Sequence, residues 1–154
     1  MKTLYLFLSI FVINISDVYS QDDINVIANY VNDNCENCNQ VELNTLVIKL
    51  CKQSDSILIS YVKRFDSKYF KEKHIQAQKK NTIKENYHNS YRDLIETRKK
   101  TLTRFAKMNT PSTVNDYNRG ILYLYMNQNI MSILAFMETS AFGDFFIEKP
   151  VWEK

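Results

Sequence analysis

Glycine and proline are scarce in this chain, each occurring only twice among 154 residues. Proteins on average contain about 7% glycine and about 5% proline, and these residues make most of the tight turns that connect short β-strands. Their scarcity argues against a β-sandwich or β-barrel, which needs many such turns. It favours a few long helices instead.

Histidine is also rare, which limits the chemistry that can be expected. His74 and His88 are the only two, and they would lie about 21 Å apart along a continuous helix, too far to act on one substrate. No acidic pair stands out as a general acid and base, and the three cysteines have no nearby histidine to complete a zinc site. The sequence therefore predicts no enzyme, no metal and no cofactor.

The chain after its first twenty residues contains no apolar run suited to crossing a bilayer. The nearest candidate, residues 121–137, is interrupted by Asn127, Gln128 and Asn129, and amide side chains are costly to place in hydrocarbon. We interpret this segment as a buried helix of the core.

The first twenty residues have the order of a secretory signal peptide. Lys2 precedes an apolar run at residues 4–13, and the small residue Ser20 follows. The run is too short for a membrane span, which needs about twenty residues. We predict that residues 1–20 are removed and that residues 21–154 form one extracellular domain.

Apolar residues recur at helical spacing through most of the remaining chain. A short helix is predicted from about residue 24, and longer apolar stripes cover residues 43–65 and 83–106. Residues 71–82 are polar and charged. They are predicted to be either a solvated helical extension or a connector.

The last predicted helix begins at Thr113, which forms a capping box with Asp116, and runs to about Ser140. It is apolar around most of its circumference, so we expect it at the centre of the fold. The apolar residues after it, up to Trp152, either pack back on the bundle or bind something. The predicted fold class is all-α: a small bundle of four to six helices preceded by a cleaved signal peptide.

The cysteine number is odd, because only Cys35, Cys38 and Cys51 are present. A disulfide between Cys35 and Cys38 requires the least backbone rearrangement. A disulfide between Cys35 and Cys51 is the alternative. Cys51 lies in an apolar stripe, where an unpaired thiol behaves as a small hydrophobe. Whether an unpaired thiol joins two chains stays open.

Positive charge is concentrated in the middle of the chain. Residues 63–107 contain fourteen lysines and arginines against five acids, whereas acids outnumber cations in the segments on both sides. We predict a basic helical arm that binds an acidic protein partner, consisting of Lys79, Lys80, Lys84, Arg98, Lys99, Lys100 and Arg104. A solvated basic face beside acidic neighbours is the simpler alternative, and nucleic acid is a less favoured partner.

These patterns predict a secreted, non-enzymatic interaction protein of the effector, salivary or venom type. Ten tyrosines and nine phenylalanines also suit an extracellular carrier of a small hydrophobic ligand, which would need an enclosed apolar cavity. A membrane-active helical protein that binds anionic lipid surfaces is a third alternative.

Overall fold

The computed structural model describes residues 24–71 and 77–142 of the chain. Within those ranges every regular element is an α-helix, and none is a strand, which confirms the all-α prediction. The helices are α1 (24–33), α2 (Gln40–Lys71), α3 (Ala77–Met108) and α4 (Thr113–Phe142).

Three predictions fall wholly or partly outside the described residues. The signal peptide at residues 1–20 and the apolar tail after residue 142 lie outside them, and so do residues 72–76 of the polar stretch. The second part of that stretch, from Ala77, is the first turn and a half of α3. The helical extension is therefore the better interpretation of that part.

Side chains cap the first turns of α2 and α4. Asn39 Oδ1 accepts hydrogen bonds from the backbone N–H groups of Val41 (2.9 Å) and Glu42 (3.1 Å), and Glu42 Oε2 accepts one from the Asn39 N–H (2.9 Å). The cap of α4 is Ser112 rather than Thr113, because the Ser112 hydroxyl accepts the hydrogen bond of the Asn115 N–H (3.1 Å). The predicted capping box with Asp116 was wrong by one residue.

The three long helices alternate in direction. Asn44 of α2 donates a hydrogen bond to the Thr113 carbonyl at the start of α4 (3.2 Å), and the far end of α2 contacts the far end of α4, so these two helices are parallel. α3 runs antiparallel to both and contacts α4 far more than α2. α4 is thus the central helix, as the sequence predicts.

Two apolar clusters form the core, one toward each end of the long helices. The first joins α1, α2 and α4, and its buried members are Ile27, Val31, Val47, Leu50, Ile121 and Leu124. The second joins α2, α3 and α4, and its buried members are Leu58, Tyr61, Phe65, Tyr87, Ile130, Met131, Leu134 and Ala135. α1 and α3 therefore complete different ends of the α2–α4 pair.

α4 is not surrounded on all sides by the described residues. Ile133 and Phe136 are exposed on its outer face, although the apolar pattern of the helix predicts burial around most of its circumference. The pattern alone cannot show which apolar face receives a neighbouring helix.

Candidate functional site

A polar layer separates the two apolar clusters. It is centred on Asp55 of α2, whose carboxylate accepts hydrogen bonds from Arg98 Nη1 of α3 (3.0 Å) and from the Tyr123 hydroxyl of α4 (2.7 Å). Asn127 of α4 donates to Asp55 Oδ1 (3.1 Å) and to the Ser54 hydroxyl (3.0 Å). The layer thus links all three long helices.

Arg98 lies inside this layer. Its side chain is 11% exposed, it also donates to Asn127 Oδ1, and its guanidinium carbon lies 4.2 Å from the centroid of the Tyr123 ring. The sequence assigned Arg98 to the partner-binding arm. The structure corrects this, because an inward arginine that is paired with Asp55 is not available to a partner.

Two ionisable groups near the layer, Cys51 and Tyr123, have raised pKa values. Burial, supported by the neighbouring charge of Asp55, raises the pKa of the Cys51 thiol to about 12, and its Sγ lies 3.7 Å from the Gly120 carbonyl oxygen. Burial and the hydrogen bond to Asp55 raise the pKa of Tyr123. A thiol that stays protonated is a poor nucleophile, so the surroundings of Cys51 do not activate it as a nucleophile.

A second buried charge lies at the other end of the bundle. The Glu138 side chain is 2% exposed and binds Arg64 Nη2 (2.7 Å) and Lys68 Nζ (2.9 Å) of α2. Burial acts to raise the pKa of Glu138, but the hydrogen bonds and charges of Arg64 and Lys68 outweigh it and lower the pKa. This carboxylate is therefore ionised and structural.

Sequence reasoning missed both buried polar groups. Asn127 was interpreted only as an obstacle to membrane insertion, and Glu138 was not noticed although it falls on the buried face of α4. A polar residue on an apolar helical face is the signal that could have found them, since such groups need partners on a neighbouring helix.

The predicted basic arm divides into two groups on α3. The first contains Lys79, Lys80 and Lys84, close to the end of α2. Lys84 Nζ lies 3.9 Å from Asp66 Oδ1 and 5.6 Å from the centroid of the Tyr69 ring, and Lys80 Nζ lies 6.0 Å from the same ring. Lys80 and Lys84 therefore lie against α2 of their own chain, whereas Lys79 is exposed.

The second group lies at the C-terminal end of α3 and faces away from the bundle. We call it the α3 cationic face, and it consists of Lys99, Lys100, Arg104 and Lys107. All four side chains are exposed, and none forms an ion pair with any residue that the structure describes. They fall within about 140° of the helix circumference. About 22 Å of helix separates Lys84 from Lys99.

Acids are absent from the chain beside the α3 cationic face. Glu96 lies one turn before it, and no Asp or Glu occurs between residues 97 and 108. Lys107 also lies in the last turn of α3, where the helix dipole favours cations. The face therefore carries a concentrated positive charge.

A surface depression of about 350 Å³ lies on the outer side of α2. It is open to solvent, and its lining is Thr45, Ile48, Lys49, Lys52, Gln53 and Ser56. A carrier of hydrophobic ligands needs an enclosed apolar cavity. This depression is open rather than enclosed, so it does not favour that function.

Cys35 and Cys38 lie at disulfide distance in the turn after α1, with their Cα atoms 5.0 Å apart, and Cys51 is not bonded to either. Across residues 24–71 and 77–142 no group of three or more histidine, cysteine or acidic side chains could hold a metal ion. None of the helices in those ranges has an apolar stretch long enough to cross a membrane.

Comparison of the chain with protein-family models, with curated proteins and with solved structures found no match in any of the three.

Proposed function

We propose that this protein is a secreted, non-enzymatic interaction protein that binds an acidic protein partner through the α3 cationic face. The observation that carries the proposal is the outward orientation of Lys99, Lys100, Arg104 and Lys107, without an ion pair to the described residues. The proposal leaves out Arg98, which is inside the bundle, and the group around Lys84, which contacts α2.

Several like charges on one rigid face act together. Each exposed charge pair contributes only about 0.2–1 kcal/mol, but a cluster steers an acidic partner toward the face and raises the association rate. Arg104 adds a planar group that can bind a carboxylate with two hydrogen bonds. Such binding weakens as salt is added, because exposed charges are screened within about 8–10 Å at physiological salt.

Binding of a fluorescent glutamate-rich peptide tests the electrostatic part of this proposal. Protein produced from the full chain is titrated at low and at high salt, and fluorescence anisotropy is measured. The double variant K100Q/R104Q is expected to bind about two- to thirtyfold more weakly at low salt, corresponding to the loss of two exposed charge pairs. At high salt the difference disappears.

The control is K63Q/K79Q, which removes the same charge from two exposed positions, one on α2 and one at the start of α3. This control should change the affinity less than twofold, because net charge alone has a weak and diffuse effect. An equal loss of peptide affinity in both double variants would contradict the proposal. So would binding to vesicles of anionic lipid but not to the peptide, which would indicate a membrane-active protein.

Secretion is tested separately, by expressing the full chain in cultured eukaryotic cells. We expect protein in the medium with Gln21 as its first residue, determined by N-terminal sequencing, because Ser20 ends the predicted signal peptide. Retention in the cytosol with Met1 intact would contradict the secreted part of the proposal.

A further inference from the structure

We infer that the outer face of α2 is a docking surface for an acidic amphipathic helix of a protein partner. This α2 outer face consists of Val41, Ile48, Lys49, Lys52, Ile59 and Lys63. It lies on a different helix from the α3 cationic face, and the inference does not depend on the function proposed above.

Three aliphatic side chains of α2 are exposed in one line. Val41 is 70% exposed, Ile48 57% and Ile59 47%. Together with Lys52 they fall within about 40° of the helix circumference and extend over about 27 Å of its length. Single exposed hydrophobic residues are ordinary, but an aligned row along a helix is the pattern of a binding face.

The opposite side of α2 already supplies both apolar clusters, through residues such as Val47, Leu50 and Phe65. The exposed row is therefore not needed for the described core. The 350 Å³ depression lies beside Ile48 and includes Thr45 and Ser56. It can receive one apolar side chain of a partner.

The charge of the α2 outer face indicates what kind of partner can bind there. Lys49, Lys52 and Lys63 are exposed along the row, and the one exposed acid of the described part of α2 is Glu42, near its start. A second copy of this chain would bring the same lysines against each other, which is unfavourable. An occupant with acidic residues beside its apolar residues matches the face.

A helix suits this surface better than a lipid membrane. Membrane-surface helices usually insert large Trp, Phe and Leu side chains from a convex face. Here the apolar side chains are one Val and two Ile, separated by about 10 and 16 Å along the axis, and the middle one lies at a depression. Apolar side chains on successive turns of a partner helix can fill the gaps between these three residues. Acidic side chains beside them can reach Lys52.

A fluorescently labelled amphipathic peptide with leucine on one face and glutamate beside it is the probe. Anisotropy titration uses protein produced from the full chain, and a scrambled peptide of the same composition is the control ligand. We expect the amphipathic peptide to bind at least about tenfold more tightly than the scrambled one, because only a continuous apolar face can follow the row.

Two variants separate the apolar and charged contributions. Ile48→Ser should weaken binding about tenfold at both low and high salt, since it removes an apolar contact that becomes buried when the peptide binds. K49Q/K52Q should weaken it about fivefold at low salt only. Val114→Ser, which removes an exposed valine of α4, is the matched control and should have no effect. Circular dichroism confirms that each variant is folded.

Other occupants give different results, and each would overturn the inference. Concentration-dependent dimerisation in sedimentation experiments, lost in Ile48→Ser, would assign the face to a second copy. Binding to anionic vesicles without binding to the peptide would assign it to a membrane surface. Equal affinity of wild type and Ile48→Ser for the peptide would leave the face without a role. Because K100Q/R104Q leaves the α2 outer face intact, it should retain amphipathic-peptide binding, which keeps the two proposals distinguishable.

Discussion

At the scale of single residues, Arg98 and Arg104 have the same side chain on the same helix but opposite surroundings. Arg98 holds Asp55 and Asn127 in the polar layer, whereas Arg104 is exposed. Arg98→Met should lower the free energy of unfolding by about 2 kcal/mol, because it leaves Asp55 and Asn127 with fewer partners. Urea unfolding at neutral pH measures this.

Arg104→Met is the matched control, and its effect should stay within about 0.5 kcal/mol. Similar unfolding midpoints for the two variants would contradict the structural role of Arg98. Destabilisation by Arg104→Met alone would instead show that the α3 cationic face is a structural element of the bundle.

Glu138 makes stability depend on pH in a defined direction. Its pKa is lowered in the folded protein from the usual 4.5 by Arg64 and Lys68, against the effect of burial. Its contribution is therefore fully present above about pH 4.5 and is lost as the pH falls through the folded-state pKa. Glu138→Gln should cost about 2 kcal/mol at neutral pH, since it leaves two cations without their counterion.

Urea unfolding of wild type and Glu138→Gln across the acidic range checks this prediction. The difference between their free energies of unfolding should be constant from pH 6 to 8 and should shrink below about pH 4.5. Glu96→Gln, at an exposed position of α3, is the control and should show a small difference throughout. A constant difference for Glu138→Gln down to pH 3 would contradict the ion pairs described here.

At the scale of helices, the α2–α4 contact depends on a glycine. A methyl group at Gly120 of α4 would overlap the Cγ1 atom of Val47 in α2. In an exposed helix Gly→Ala stabilises by up to about 1 kcal/mol. Here we expect Gly120→Ala to destabilise by about 1–3 kcal/mol, because Val47 is buried and β-branched and cannot easily rotate away.

A double-mutant cycle identifies the cause of that effect. Adding Val47→Ala to Gly120→Ala should recover about 1–2 kcal/mol relative to the sum of the two single effects. Val31→Ala removes an equally buried valine that the new methyl group would not meet, so it should show no such recovery. Additive effects for both pairs, measured by urea unfolding, would exclude close packing at Gly120.

The helices themselves could be predicted from the sequence, because apolar spacing reports a buried face directly. The stripe that contains Leu50 and Phe65 is the buried side of α2, and the central position of α4 also follows from its apolar content. A stripe does not report what packs on it, so the exposure of Ile133 could not be predicted. Nor could the inward direction of Arg98, since the polar partners that hold it come from α2 and α4.

At the scale of the whole molecule, the two apolar clusters predict parts of unequal stability. α1 contributes to only one cluster, mainly through Ile27 and Val31, and a helix of this length is marginal without its tertiary contacts. α2 and α4 extend through both clusters. α1 should therefore detach from the bundle without general unfolding.

Native-state hydrogen exchange of two core variants tests this hierarchy. Ile27→Ala creates a cavity under α1 that should cost about 2–4 kcal/mol, so amide exchange in residues 24–33 should accelerate about thirtyfold or more. Amides around residues 58–65 and 130–135 should change little, because their exchange requires general unfolding. Leu134→Ala, in the second cluster, should accelerate exchange in the long helices as well. If Ile27→Ala accelerated every protected amide by the same factor, α1 would be part of one cooperative unit, because the continuous helices α2 and α4 would then transmit its loss to the opposite cluster.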